Sequence, residues 1–199
     1  MITDEYENTT PGAYAAPDEH EPMWLLNQYR AAEVHGAGVI LRLSRLADNL
    51  QLKNDLTRHL RDEAVHAWLW TKAIHDLGGD IMPVDEPYQT RLGHHFGIPR
   101  TLDEMLALTW VSERRGCAQY VEHLDIQEIP SIIRRTLRGI VKDETWHVSY
   151  IREELERRAL ADPKVETIMD RALLADQRAM EEMTAEEATV GAQAGGRST

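Results

Sequence analysis

Arg61-Asp62-Glu63-Ala64-Val65-His66 and Lys142-Asp143-Glu144-Thr145-Trp146-His147 are two copies of one pattern, a basic residue and an Asp followed by Glu-x-x-His. A lone glutamate precedes each at nearly the same distance: Glu33 lies 30 residues before Glu63, and Glu113 lies 31 before Glu144. Three residues span about 4.5 Å of α-helical rise and nearly one turn, so the Glu and His of each motif project from the same side of a helix. A spacing of this size reads as one helical hairpin, and its duplication as four helices. Of the 9 histidines, only His66 and His147 have Glu three residues before them.

Outward from these motifs the apolar residues keep a helical period, with Gly and Pro as punctuation and almost no alternating β pattern. The expected fold class is all-α. The first helix is predicted from Pro22 to about Asp48, and the second from about Lys53 to Leu77, stopped by Gly78-Gly79. The third opens on Thr101-Leu102-Asp103-Glu104, a capping-box spacing, and continues to about Leu124. The fourth runs from Ser131 to a stop before Asp162-Pro163, and a shorter amphipathic fifth from about Pro163 to Met183. Residues 1–20 read as a flexible leader, 21–183 as one helical domain and 184–199 as a disordered tail. Between the second and third helices, Asp80 to Arg100 carries Pro83, Pro87, Gly93, Gly97 and Pro99 and reads as a long structureless crossover, with His94 and His95 at its surface.

A chain of 199 residues suits one domain with a core of its own. The single cysteine, Cys117, excludes an internal disulfide, and the amino-terminal residues lack the pattern of an export signal, so a cytoplasmic protein is expected. The most apolar stretch, Gly36 to Leu43, is interrupted by Arg42 and falls far short of the roughly 20 residues of a membrane span. With 34 acidic and 22 basic residues, a net charge of −12 disfavours nucleic acid and favours a small-molecule partner.

The faces around the repeated acids are apolar. Glu33 shares its face with Leu26, Tyr29 and Ile40, Glu63 with Leu56 and Trp70, Glu113 with Leu106 and Tyr120, and Glu144 with Leu137 and Ile151. Carboxylates in an apolar core need compensating cations. Two divalent metals would supply +4 against the −4 of Glu33, Glu63, Glu113 and Glu144, leaving His66 and His147 neutral. Asp62 and Asp143, each just before a motif Glu, are either acceptors for the histidine N–H groups or solvated helix acids. His59, one turn before Glu63, is a further candidate around the ligands. Gly36, Ala37, Ala67 and Gly116 lie within a turn of the ligands and mark either a pocket or close helix packing. Thr109 either donates to a metal-bound oxygen or bonds its own helix carbonyl. Tyr29, Tyr120 and Trp70 are redox candidates or plain core, and Cys117 needs no role beyond a small buried hydrophobe.

With Glu33, Glu63-x-x-His66, Glu113 and Glu144-x-x-His147 in place, the chain from about residue 22 to 160 resembles the ferritin-like di-iron carboxylate superfamily. The resemblance implies a ferritin-like four-helix bundle in which the long second-to-third crossover returns the chain along the bundle. It implies Glu33, Glu63, His66, Glu113, Glu144 and His147 as metal and catalytic residues, with Glu63 and Glu144 as bridges. Two iron ions are the implied cofactor, with manganese or a mixed pair as alternatives. A second full Glu-x-x-His argues against iron-storage ferritins. Gly116, three residues after Glu113, and the single cysteine depart from rubrerythrins. Trp70 stands where ribonucleotide reductase small subunits carry a tyrosine. The expected activity is that of a non-haem oxygenase or oxidase using O2, a small organic substrate and an external electron donor. The alternative is a di-manganese catalase or peroxide-consuming ferroxidase with no organic substrate. A homodimer through the fifth helix is a family-level expectation.

Overall fold

The computed structural model describes residues 21–84 and 88–195, and the side chains of 23–84 and 88–185. The described residues form six helices and no strand: α1 (Glu21–Leu46), α2 (Leu50–Asp76), α3 (Tyr88–Phe96), α4 (Leu102–Asp125), α5 (Ser131–Ala159) and α6 (Lys164–Gly195). The all-α expectation holds. The expected leader, residues 1–20, lies outside the described residues.

Helix ends follow from local chemistry. Asn49, in extended conformation, accepts from the Leu52 N–H at 2.8 Å and starts α2 three residues before the expected Lys53. Thr101 and Glu104 form the predicted reciprocal capping box of α4. Gly78, at φ +78°, supplies the left-handed residue that closes α2, and its N–H bonds the His75 carbonyl at 2.9 Å.

Two expectations need correction. The crossover is not structureless, because α3 occupies Tyr88–Phe96. Its run from Tyr88 to Leu92 lacks Gly and Pro, and burial of Leu92 and Phe96 gives it an apolar face to dock. The Tyr88 hydroxyl donates to Asp176 at 2.7 Å, and Arg115 grips the same carboxylate at 2.8 and 2.6 Å, which pins α3 to α4 and α6. The last helix is also not short. It continues past Met183 to Gly195, through a segment expected as a disordered tail, because Thr184-Ala185-Glu186-Glu187-Ala188 contains good helix formers and no Gly before Gly191.

α1 packs mainly on α2 and α4 on α5, while α2–α5 and α1–α4 contacts join the two pairs. Asn27 of α1 accepts from the Met82 N–H at 2.8 Å and donates to the Asp80 carbonyl, tying the start of the crossover to the first pair. Arg158 of α5 binds Asp103 at 2.9 Å and Glu154 at 2.7 Å and also reaches Asp48 beyond α1. The interior is layered. One apolar cluster includes Ile40, Leu43, Leu56, Leu106, Ile151 and Leu155, and a second includes Leu26, Tyr29, Trp70, Ile74, Leu137 and Ile140. Between them on α1, α2, α4 and α5 lies a band of buried carboxylates and imidazoles. No described helix is long and apolar enough to cross a membrane.

Candidate metal centre

The four helices that carry the repeat bring all six expected residues to one level. Glu33, Glu63 and Glu144 are at most 4 % exposed, His66 and His147 at most 1 %, and the Glu113 side chain is 10 % exposed. They fall into two groups that share Glu63. One is Glu33, Glu63, His66 and Glu144; the other is His59, Glu63, Glu113 and His147. Within each group one ligand atom per residue lies within 4.8 Å of all the others. Such four-residue groups of oxygen and imidazole donors suit a first-row divalent ion.

Glu144 divides its carboxylate between the groups, with Oε1 2.9 Å from His66 Nδ1 and Oε2 3.4 Å from His147 Nδ1. His66 Nδ1 also lies 3.4 Å from Glu33, and His147 Nδ1 lies 3.7 Å from both Glu63 and Glu113. Both imidazoles therefore turn Nδ1 inward. Their outer nitrogens meet aspartates, but with the partners crossed. His66 Nε2 is 3.5 Å from Asp143 of α5, and His147 Nε2 is 3.6 Å from Asp62 of α2. The His66–Asp143 contact is a hydrogen bond and fixes the tautomer whose Nδ1 lone pair faces the centre, whereas His147 Nε2 and Asp62 Oδ2 stand just beyond hydrogen-bond distance. Asp62 is in turn held by Arg61, whose Nε donates at 2.8 Å, and by Arg58 at 3.7 Å.

Two buried atoms test whether metals fit. His66 Nδ1 and Glu144 Oε1 lie 2.9 Å apart, yet neither has a hydrogen-bond partner of acceptable geometry. Buried polar atoms are normally satisfied. Two lone-pair donors that converge without bonding to each other are placed to share a cation, so the residues fit a metal ion.

Electrostatics agree. Burial, reinforced by Glu113, Glu33 and Glu144, pushes the Glu63 carboxyl well above the usual carboxylate range. Burial, reinforced by Glu33 and Glu113, also raises Glu144, against the pull of His147 and His66. Burial opposes charge on His66 and His147, but the surrounding carboxylates outweigh it and push them up to about 11 and about 9. His59 and His147 hold Glu113 well below its ordinary value although burial alone would raise it. Protons on the imidazoles and on Glu63 balance the buried carboxylates, a role that a bound cation would take over.

The sequence places His59 only near the candidate ligands, and the structure puts it within one of the two candidate groups. It is fully buried, with Nε2 3.2 Å from Glu63 and 3.5 Å from Glu113, and its ring stacks on His147 at 3.6 Å between centroids. Its Nδ1 meets the Tyr150 hydroxyl at 2.8 Å, and burial lowers its proton affinity. The available signal was its i−4 spacing from Glu63, which sets both on one face.

The remaining candidates divide. The Tyr120 hydroxyl donates to Glu33, the Trp70 indole N–H to Tyr120 at 3.3 Å, and Tyr29 packs on both rings while meeting His123. These aromatics are core residues, and of the three Tyr120 alone bonds a candidate ligand, Glu33. Thr109 donates to its own helix carbonyl at Met105, at 2.9 Å. Cys117 is half-buried, and burial raises its thiol. His94 is exposed, and His95 pairs with Glu182 at 2.8 Å. Gly36 and Gly116 separate the two explanations for small residues. A Cβ at Gly36 would lie 2.1 Å from Glu63 Oε2, whereas one at Gly116 would meet nothing within 4 Å.

Gly116 instead borders a cavity of about 530 Å³ that runs between α1 and α4 beneath α3 and reaches Glu33, Glu63, Glu113 and Glu144. Its walls beyond those acids are mainly apolar, with His35, Arg42, Gln89, Thr109 and Ser112 among them. Compared with family models, curated proteins and solved structures, the chain matches none.

Proposed function

We propose that the chain is a ferritin-like di-metal oxidoreductase, with iron as the favoured metal, that uses O2 on a small organic substrate. The observation that carries this reading is the mainly apolar cavity open to all four buried carboxylates. A catalase or ferroxidase needs room only for peroxide or an ion, whereas a cavity of about 530 Å³ has the size and lining of an organic-ligand site. The ferritin-like assignment rests on the order of ligands along the chain and on the return of the chain through α3.

Glu33, His66 and Glu144 would hold one ion, and Glu113, His147 and His59 the other, with Glu63 common to both groups. Bound metals supply the redox steps and the O2 binding that these side chains cannot perform. Asp143 accepts from His66 Nε2 and keeps that Nδ1 lone pair aimed inward, Asp62 faces His147 Nε2 at 3.6 Å, and Tyr120 orients Glu33 through its hydroxyl. The mainly apolar wall excludes water and leaves a substrate carbon beside the acids. Electrons from an external donor are required for an oxygenase.

Metal analysis of the full chain, and of Glu63→Ala and His147→Ala, tests the site; two ions per chain in the parent and fewer in each variant are expected. O2 uptake by the Fe(II)-loaded protein then tests the reaction class. Rapid O2 evolution from H2O2 by the Mn(II)-loaded protein, without Fe(II)-dependent O2 uptake, would overturn the oxygenase reading in favour of the catalase.

A further inference from the structure

The cavity is unequal in charge along its length. At its inner end stand Glu33, Glu63, Glu113 and Glu144, all of them ligand candidates, and among the described residues no other acid lines it. Its wall is mainly apolar through Val39, Leu92, Pro99, Met105 and Leu108, with His35, Gln89, Thr109 and Ser112 as neutral polar groups among them. Arg42 is the only lysine or arginine of the lining, and it is exposed with no ion-pair partner among the described residues. Glu33 and Arg42 sit on the same helix nine residues apart, which is about 13 Å of rise.

A chain with net charge −12 attracts cations from solution, so a cationic or neutral ligand would gain nothing from an unpaired guanidinium at this rim. An anionic head gains a charge-assisted hydrogen bond there, and its hydrocarbon gains the apolar wall. We propose that the cavity binds an unbranched aliphatic monocarboxylate, with its head on Arg42 and its far carbons beside the four acids. This rests on the reading of the centre as one that acts on an organic substrate, and it names that substrate's class.

Binding is measurable without turnover. Isothermal titration of the full chain, Mn(II)-loaded and anaerobic, with decanoate, decanol and decylamine should show decanoate at least tenfold tighter than either. Arg42→Gln, an exposed substitution outside the metal set, should erase that preference without changing metal content. Shortening decanoate by two carbons should weaken binding roughly tenfold, at about 0.8 kcal/mol per buried CH2. Equal affinity for decanoate and decanol, or an unchanged preference in Arg42→Gln, overturns the proposal. Decanoate that binds through Arg42 in a protein that never consumes O2 supports this site and refutes the oxygenase reading instead.

Discussion

Replacing Gly36 by alanine separates what stabilises the fold from what builds the centre. The added Cβ would lie 2.1 Å from Glu63 Oε2 and 3.2 Å from its Cδ. Ordinary contact begins at about 3.5 Å, so the carboxylate tip must retreat by about 1.4 Å. The tip ends a flexible side chain, and the backbone can stay where it is. Alanine is about 1 kcal/mol better than glycine inside a helix, which corresponds to roughly 2–4 °C in Tm for a chain of this size. The metal-free variant should therefore melt about 2–4 °C higher than the parent. Metal binding should move the other way, because Glu63 belongs to both ligand groups. Loss of a group that merely supports a ligand weakens binding about 10–100-fold, so displacing a shared ligand should weaken it by at least about 100-fold. Differential scanning fluorimetry on metal-free protein and competition titration of Mn(II) against a chromogenic chelator read the two effects separately. Gly139→Ala in α5 is the control, since its Cβ would meet nothing within 4 Å; it should gain the same stability and keep parental affinity. If Gly36→Ala binds two ions as tightly as the parent, the shared-ligand geometry is refuted.

Asp62→Asn and Asp143→Asn should each weaken metal binding about 10–100-fold, and the crossed partners predict which ion each affects. Asp62→Asn perturbs the ion on His147 and Asp143→Asn the ion on His66, readable as selective changes in the Co(II) absorption spectrum. His59→Ala should lower occupancy of the His147 group and leave the His66 group filled; two ions at full affinity would remove His59 from the ligand set. The pH dependence has a definite sign. His66 and His147, raised from 6.5 to about 11 and about 9, favour the metal-free fold fully below pH 6.5 and lose that contribution as pH rises through about 9 and about 11. The metal-free Tm should thus fall between pH 6.5 and 10, and Mn(II) added at pH 7 in weak buffer should release protons. A Tm that rises over that interval would contradict the assignment.

Much of this arrangement was legible because helical spacing is short-range. Glu63 and His66 share a face whatever surrounds them, and the capping box at Thr101 is a contact between neighbours in the chain. The apolar positions at one-turn intervals on four helices required that the acids between them be buried together. What could not be read depends on how helices meet. The position of His59 between Glu63 and Glu113, and the exchange of aspartate partners between motifs, are set by the register of α2 against α5. The α3 helix was hidden by flanking Pro and Gly, and its stability comes from Asp176, which lies 88 residues beyond Tyr88.

The exchange of aspartates interlocks the two halves of the chain. Each hairpin carries the acid that faces the other's imidazole, so neither half would complete the surroundings of an ion in isolation. A slip of α2 by one turn against α5 would misalign both histidines at once. Uptake of the ions should therefore act as a lock on interhelix register, gripping the centre only after the two hairpins have docked face to face.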